Sequence, residues 1–124
     1  MIEMLPAVPL GTVAAQSVRV LGVIPDSGPG LRVRAMDIFL ATEIALGPSD
    51  YWQFELGVMG GGGSFTARTL VAVPYRGFAK GRNRIELRPV VGYSSGEVVA
   101  LRATPRGSPA TLTGCDVVLT IEEP

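Results

Sequence analysis

The sequence predicts an all-β fold: an antiparallel β-sandwich, jelly-roll-like, with seven or eight strands and an extended N-terminal arm. Two observations predict this fold. Apolar and polar residues alternate along most segments, which is the period of a strand with one buried face. Many of the 16 glycines and 10 prolines fall in short clusters between these segments, as turns do in a sandwich or barrel. An immunoglobulin-like sandwich fits the same strand count.

The chain has 124 residues, which is the size of one domain. No internal repeat and no domain boundary is visible in it. We therefore expect an arm over residues 1–12, followed by a single β-sandwich domain over residues 13–124.

The N-terminus has the composition of an extended, apolar arm. Pro6 and Pro9 fix their own φ angles and disfavour helix at the residues before them. Leu5, Val8 and Leu10 give the arm its apolar character. Such an arm either packs along its own domain or docks on a neighbouring subunit or a larger assembly. These five residues are the first candidate interface.

The first strands follow the arm directly. Gln16–Ile24 is predicted to be a strand that ends at the turn Pro25–Gly30. Leu31–Ile44 begins with a strand-like alternation and is predicted to be one long strand with a bulge. The spacing of apolar residues over 36–46 also permits a helix, and this alternative stays open.

The segment Tyr51–Val58 has the clearest alternation in the chain. One of its faces carries Trp52, Phe54, Leu56 and Val58. Because the burial of large aromatic side chains stabilises a core strongly, this segment is predicted to be a central strand.

The next segments are separated by glycine and by basic residues. Gly60–Gly63 is predicted to be a flexible connector, and Arg68–Tyr75 a strand. Arg76–Asn83 is predicted to be a basic loop. Arg84–Val91 is predicted to be a further strand in which Pro89 marks a sheet edge or a bulge.

The last stretch, Gly96–Glu122, is predicted to form a hairpin-like unit of two strands. Its connector, Thr104–Gly114, is longer and richer in Gly, Ser, Thr and Pro than a tight turn requires. We therefore take Arg106, Ser108 and Pro109, which lie in this connector, as a second candidate interface.

Cys115 is in phase with Val117 and Leu119, so its thiol is expected on the buried face of the last strand. A reactive or cross-linking thiol is the alternative. The chain has no other cysteine, which excludes an intrachain disulfide and a cysteine-based zinc site.

The composition favours an oligomer. The chain is 47% hydrophobic and only 18% charged, against about a quarter charged in ordinary domains. The surplus apolar surface is expected in contacts between subunits or with a partner. The net charge of zero argues against duplex nucleic acid, and no apolar run reaches the roughly 20 residues that span a bilayer.

The chain contains no histidine, which removes the usual general base, the Ser-His-Asp and Cys-His systems and the commonest metal ligand. The glycine run lacks the Lys-Ser/Thr pair of a phosphate-binding loop. Carboxylate chemistry remains open, although no spacing singles out a pair; the available carboxylates are Asp37, Glu43, Asp50, Glu55, Glu86 and Glu97. The sequence thus predicts a non-enzymatic protein without a cofactor or a metal.

Two clusters have a functional alternative beside the ordinary structural interpretation. The basic cluster is a solvated loop or a contact for an anionic partner; it comprises Arg76, Lys80, Arg82 and Arg84. The aromatic set is part of the core or a sugar-stacking platform; it comprises Tyr51, Trp52 and Tyr75. Core placement is favoured for Trp52, because it is in phase with Phe54 and Leu56.

Two stretches resemble β-sandwich structural proteins of tailed-bacteriophage virions. The first is Ala41–Leu46 with Tyr51–Leu56; the second is Ser95–Leu101 with the Gly-Ser-Pro connector Gly107–Gly114 and the strand residues Val117–Leu119. The resemblance covers about half of the chain. These stretches are similar to those of head-decoration proteins and other small accessory proteins of the virion. It rests on turn and strand signatures and carries over no functional residue.

The resemblance implies a protein that stabilises the head surface through oligomeric contacts. Such proteins commonly form trimers, so the implied partners are further copies of this chain and the major capsid protein or another virion protein. The implied location is the capsid surface of the virion, after synthesis in the host cytoplasm. The alternative is a carbohydrate- or receptor-binding module of a phage tail or head fibre.

Overall fold

The computed structural model describes residues 2–45, 47, 49–71 and 77–123 of the chain. Over these residues the backbone forms nine antiparallel strands and no helix, in two separate sheets. The predicted all-β sandwich is therefore confirmed. The strands are β1 (Ile2–Met4), β2 (Val8–Val13), β3 (Ser17–Val23), β4 (Leu31–Leu40), β5 (Tyr51–Met59), β6 (Phe65–Leu70), β7 (Gly81–Tyr93), β8 (Val98–Arg106) and β9 (Leu112–Glu122).

Each sheet has four strand positions. Sheet A has the order β1/β2–β9–β4–β7, because β1 and β2 lie one after the other along the same edge of β9. Sheet B has the order β3–β8–β5–β6. If β1 and β2 are counted as one interrupted strand, the eight positions agree with the predicted seven or eight.

The pairing follows a simple rule along the chain. The strands β5 and β6 form a hairpin around the glycine turn at 60–63. Moving outward from this turn, β4 pairs with β7, β3 with β8, and β1 and β2 with β9. Successive pairs alternate between the two sheets, so the chain is one long antiparallel ribbon folded over itself.

The core lies between the sheets and is formed by the inward-facing residues of both. Trp52, Phe54 and Leu56 of β5 are at most 1% exposed, as the alternation predicts. The ring of Phe54 meets that of Phe78 edge to face, with 5.7 Å between the ring centres. The predicted central position of β5 is confirmed, because it lies between β8 and β6.

The predicted hairpin-like unit at the C-terminus is wrong. The strand β8 pairs with β3 and β5 in sheet B, whereas β9 pairs with β1, β2 and β4 in sheet A. The segment 107–111 therefore crosses from one sheet to the other. Sheets in a sandwich lie about 10 Å apart, and a turn-rich connector of this length crosses such a gap as easily as it closes a hairpin.

Several strands begin or end at residues other than the predicted ones. The strand predicted at Leu31–Ile44 ends at Leu40, and the described residues 36–45 contain no helix. The strand expected at Arg68–Tyr75 begins at Phe65 and ends at Leu70, and the residues 72–76 lie outside the described ones. Part of the expected basic loop is strand, because β7 begins at Gly81.

Pro89 lies in a bulge of an edge strand, as predicted. Val33 of β4 is opposite Val91 and Ala35 is opposite Glu86, so residues 87–90 of β7 stand against a single residue of β4. In the described residues β7 pairs only with β4 and forms one edge of sheet A. Proline is tolerated there because it has no N–H to donate to the ladder.

We predict that Trp52→Ala lowers the free energy of unfolding by about 3–5 kcal/mol, because it leaves a large cavity in the core. Trp52→Phe should cost less, since it keeps most of the packing and removes the 2.7 Å hydrogen bond from the indole N–H to the Ala110 carbonyl oxygen. Urea unfolding of the two variants measures the difference. An alanine variant as stable as the native protein would contradict the core assignment.

Candidate functional site

The N-terminal candidate residues lie against their own domain. Leu10 is buried and Leu5 packs on the core, and the Leu5 N–H donates to the Leu119 carbonyl oxygen at 2.9 Å. Pro6 and Pro9 are exposed and Val8 is half-buried. The apolar surface of the arm is thus largely used within the subunit, and the exposed prolines remain available for contact.

The second candidate set is tied to a neighbouring loop. The backbone N–H of Ser108 donates to the Asp50 carboxylate at 2.6 Å, and Arg106 donates to the Gln53 side-chain oxygen at 3.2 Å. Pro109 is half-buried. The N-terminal set lies along β9, with Val8 opposite Val117 and Pro9 opposite Asp116, whereas the connector set contacts Gln53 and Asp50.

The outer face of sheet B carries exposed valines on its edge strand β3. Val18, Val20 and Val23 are 37%, 43% and 64% exposed. They are opposite Arg102, Ala100 and Val98 of β8 and share their outward face. Sequence reasoning missed this surface, because the segment was interpreted only as a strand; the signal was the run of valines in a strand with a single charged residue.

One ion pair lies on this outer face. Arg102 donates to the Glu55 carboxylate at 2.8 and 2.9 Å, and its guanidinium lies 4.7 Å from the centre of the Phe65 ring. The charge of Arg102, which is opposite Val18, is therefore paired within the subunit.

The outer face of sheet A carries a buried carboxylate beneath two arginines. Asp37 is fully buried, and its oxygens accept hydrogen bonds from Arg82 at 2.9 and 3.3 Å and from Arg84 at 3.0 Å. The hydrogen bond to Asp37 raises the pKa of Arg82. These two arginines belong to the predicted basic cluster, but their charge is largely used within the subunit. In the same cluster Lys80 is exposed, and Arg76 lies outside the described residues.

Two further carboxylates are held in ion pairs. Glu97 accepts from Arg68 at 2.9 Å and from the Ser94 backbone N–H at 2.7 Å, and these bonds lower its pKa. Hydrogen bonds from Arg88 and Arg84 lower the pKa of Glu86. Such pairs hold the carboxylates ionised and do not equip one of them as a proton donor at neutral pH.

Trp52 of the aromatic set is not available as a stacking surface. Trp52 is 1% exposed and its indole N–H is hydrogen-bonded inside the domain. Tyr51 is half-buried, and Tyr75 lies outside the described residues. Stacking on a sugar requires an accessible ring face, which Trp52 does not offer.

Cys115 is completely buried, which confirms its predicted position on the core face. Burial, followed by the nearby charge of Asp116, raises the pKa of its thiol to about 11. The thiolate is the reactive form of cysteine, so this thiol has little reactivity in the folded protein.

The described part of the chain contains neither a cluster of metal-ion ligands nor a membrane-spanning helix. No group of three or more Asp, Glu or Cys side chains is placed to hold a metal ion there. No helix among those residues has the length and hydropathy to cross a membrane.

Comparisons of the chain with family models, with curated proteins and with solved structures found no match.

We predict that Arg82→Ala/Arg84→Ala destabilises the fold more than Asp37→Asn does, because it leaves a buried carboxylate without a partner. The triple variant that adds Asp37→Asn should regain part of the loss. Urea unfolding of these variants gives the coupling. Additive losses would mean that the carboxylate does not depend on the arginines.

We predict that Cys115 resists alkylation by iodoacetamide at pH 8 in the folded protein and reacts readily in urea. The raised pKa keeps the thiol protonated, and burial blocks access of the reagent. Mass spectrometry over time follows the modification. Rapid labelling without urea would contradict the placement of the thiol.

Proposed function

We propose that the protein is a non-enzymatic structural protein that oligomerises, as a trimer, and stabilises the surface of a tailed-phage capsid by binding the major capsid protein or another virion protein. The main support for the oligomer is the edge strand β3, which has three exposed valines. The proposed binding to a capsid and the proposed location in the virion rest on the resemblance of the strand and turn signatures.

The edge of β3 is suited to contact with another protein chain. In the described residues it pairs only with β8, so its other side leaves backbone N–H and C=O groups unpaired. Proteins usually protect such edges with proline, lysine or strong bulges. The strand β3 has a single irregularity, between Val20 and Gly22, and no proline. Its valines therefore form an apolar edge that a second subunit can cover.

The charge pattern supports contact between copies of the same chain. A symmetric interface brings a surface against itself, so a face with net charge repels its own copy. The charges of Arg102 and Glu55 on this face are paired with each other. The valines beside this pair can then be buried without separating its charges.

The order of the strands supports the comparison with capsid proteins. We infer that the folded ribbon, with its pairs alternating between two four-stranded sheets, is a jelly roll. Capsid and lectin domains both use this fold, and a fold alone does not define a function. The burial of Trp52 removes the best stacking surface that a sugar-binding module would use, so the structural role is favoured.

The engaged carboxylates support a non-enzymatic role. Asp37, Glu55, Glu86 and Glu97 each contact an arginine, and Asp50 accepts from a backbone N–H. A carboxylate pair that cleaves a glycosidic bond needs both groups free to face the substrate across a cleft.

Deletion of the N-terminal arm is not a clean test of this function. It would remove the strands that flank β9 and would lower stability for a reason unrelated to binding. A substitution on the outer face of β3 leaves the pairing of the strands in place.

We predict a native mass three times that of the 13.0 kDa chain, and we predict that Val20→Glu raises the dissociation constant of the oligomer at least tenfold. The charge would have to be buried unpaired in the interface, and a tenfold change is about 1.4 kcal/mol. Multi-angle light scattering across a dilution series measures both. Val90→Glu is the matched control, because Val90 is a similarly exposed valine on β7.

A monodisperse monomer at high concentration would contradict the oligomer. Cosedimentation with purified capsids then tests capsid binding. The native protein should bind, and Val20→Glu should bind more weakly because it loses avidity. An oligomer that binds no capsid would leave the β3 interface standing and reject the virion role.

A further inference from the structure

An apolar cavity of about 300 Å³ lies between the two sheets at one end of the sandwich. Its inner wall consists of buried residues, among them Ile24, Val33 and Leu119. Its outer part is lined by half-buried residues, among them Leu21 and Ile121. Every side chain in the lining is aliphatic or proline, without a charged or aromatic member.

Several backbone groups of the cavity wall are hydrogen-bonded within the domain. The Ile24 N–H donates to the Glu97 carbonyl oxygen at 2.9 Å, and the Ile24 carbonyl oxygen accepts from Gly96 at 3.0 Å. On the other side, the Leu5 N–H donates to the Leu119 carbonyl oxygen at 2.9 Å. A ligand in the cavity would therefore find mainly apolar contacts.

The cavity is open to solvent through an apolar rim. Val23 is 64% exposed and contributes to the lining, so the cavity continues to the surface beside the end of β3. A ligand could enter without opening the sandwich. Water is a poor occupant, because a water molecule in a cavity needs polar partners that this lining lacks.

We propose that this cavity is a binding site for a single aliphatic chain, such as the alkyl part of a fatty acid or fatty alcohol. The volume is at the lower end of the range for ligand sites and equals that of about ten water molecules in the liquid, which fits a medium-length chain. The polar head of such a molecule would remain in solvent at the rim. This proposal does not rest on the proposed structural function, although Val23 belongs both to the β3 valines and to the cavity rim.

Gly22 provides a way to fill the cavity without disturbing the backbone. It lines the cavity, its φ is not in the left-handed region, and a Cβ atom built on it meets no atom within 4 Å. Gly22→Leu should therefore place its side chain in the space that the ligand would occupy. Gly92→Leu is the matched control, because Gly92 meets the same conditions on β7 and does not line this cavity.

The experiment measures the binding of decanoate and of 1-decanol to the full chain, by calorimetry and by the methyl NMR signals of Leu, Val and Ile. We expect both compounds to bind, to shift methyl signals of the lining and to raise the melting temperature. Acetate should have no effect. Gly22→Leu should weaken the binding of both at least tenfold, and Gly92→Leu should leave it unchanged. Gly22→Ala, a smaller change, keeps the test valid if the leucine variant does not fold.

Three results would overturn the proposal. The first is that neither compound binds the native protein up to its solubility limit. The second is binding that survives in Gly22→Leu at full strength. The third is that Gly22→Leu changes the native mass while the native protein binds no alkyl compound, which would assign the cavity to a contact between subunits. If the alkyl compounds bind, vesicles of phosphatidylcholine separate the sources: cosedimentation indicates membrane lipid, and its absence indicates a free amphiphile.

Discussion

The pairing of the two ends of the chain is the constraint on which the rest of the structure depends. The strand β9 is interior to sheet A only because β1 and β2 cover the side that β4 does not. Its burial on both faces, from Val117 to Thr120, requires that position. The N-terminal segment is therefore an edge strand of the sheet and a wall of the cavity through Leu5. This pairing joins residues 99 to 120 positions apart along the chain. Contacts between residues so distant in sequence slow folding, because a long loop must close before they form.

The four sheet edges are protected to different degrees. The edge of β7 carries arginines and the bulge at Pro89, and the edge of β1 and β2 is interrupted around Pro6 and Pro9. The short edge strand β6 presents mainly small or polar residues to solvent. The remaining edge, β3, presents valines instead. Since an apolar edge pairs readily with other chains, this is the edge that the proposed subunit contact would cover, beside Arg19, the one charged residue of the strand.

Local sequence predicted the strands well and their partners poorly. The alternation around Trp52 and the phase of Cys115 give the buried face directly, because both depend on neighbours along one strand. The error over β8 and β9 has a different origin: a connector rich in Gly, Ser and Pro permits a turn within a sheet and a crossing between sheets equally. The burial of Asp37 could not be predicted from its neighbours in sequence either. Its burial depends on Arg82 and Arg84, which are 45 and 47 residues away along the chain.

The two outer faces and the cavity together point to β3 as the functional part of the molecule. On the outer face of sheet A, Arg82 and Arg84 are paired with Asp37. On the outer face of sheet B, the valines of β3 are exposed. The same strand supplies Leu21 and Gly22 to the cavity and Val20 to the proposed interface. An alkyl chain that packs against Leu21 would favour one position of β3, and a subunit bound to Val20 would do the same. If both ligands prefer the same position of this strand, each must strengthen the binding of the other by the same factor, since coupling between two sites is reciprocal.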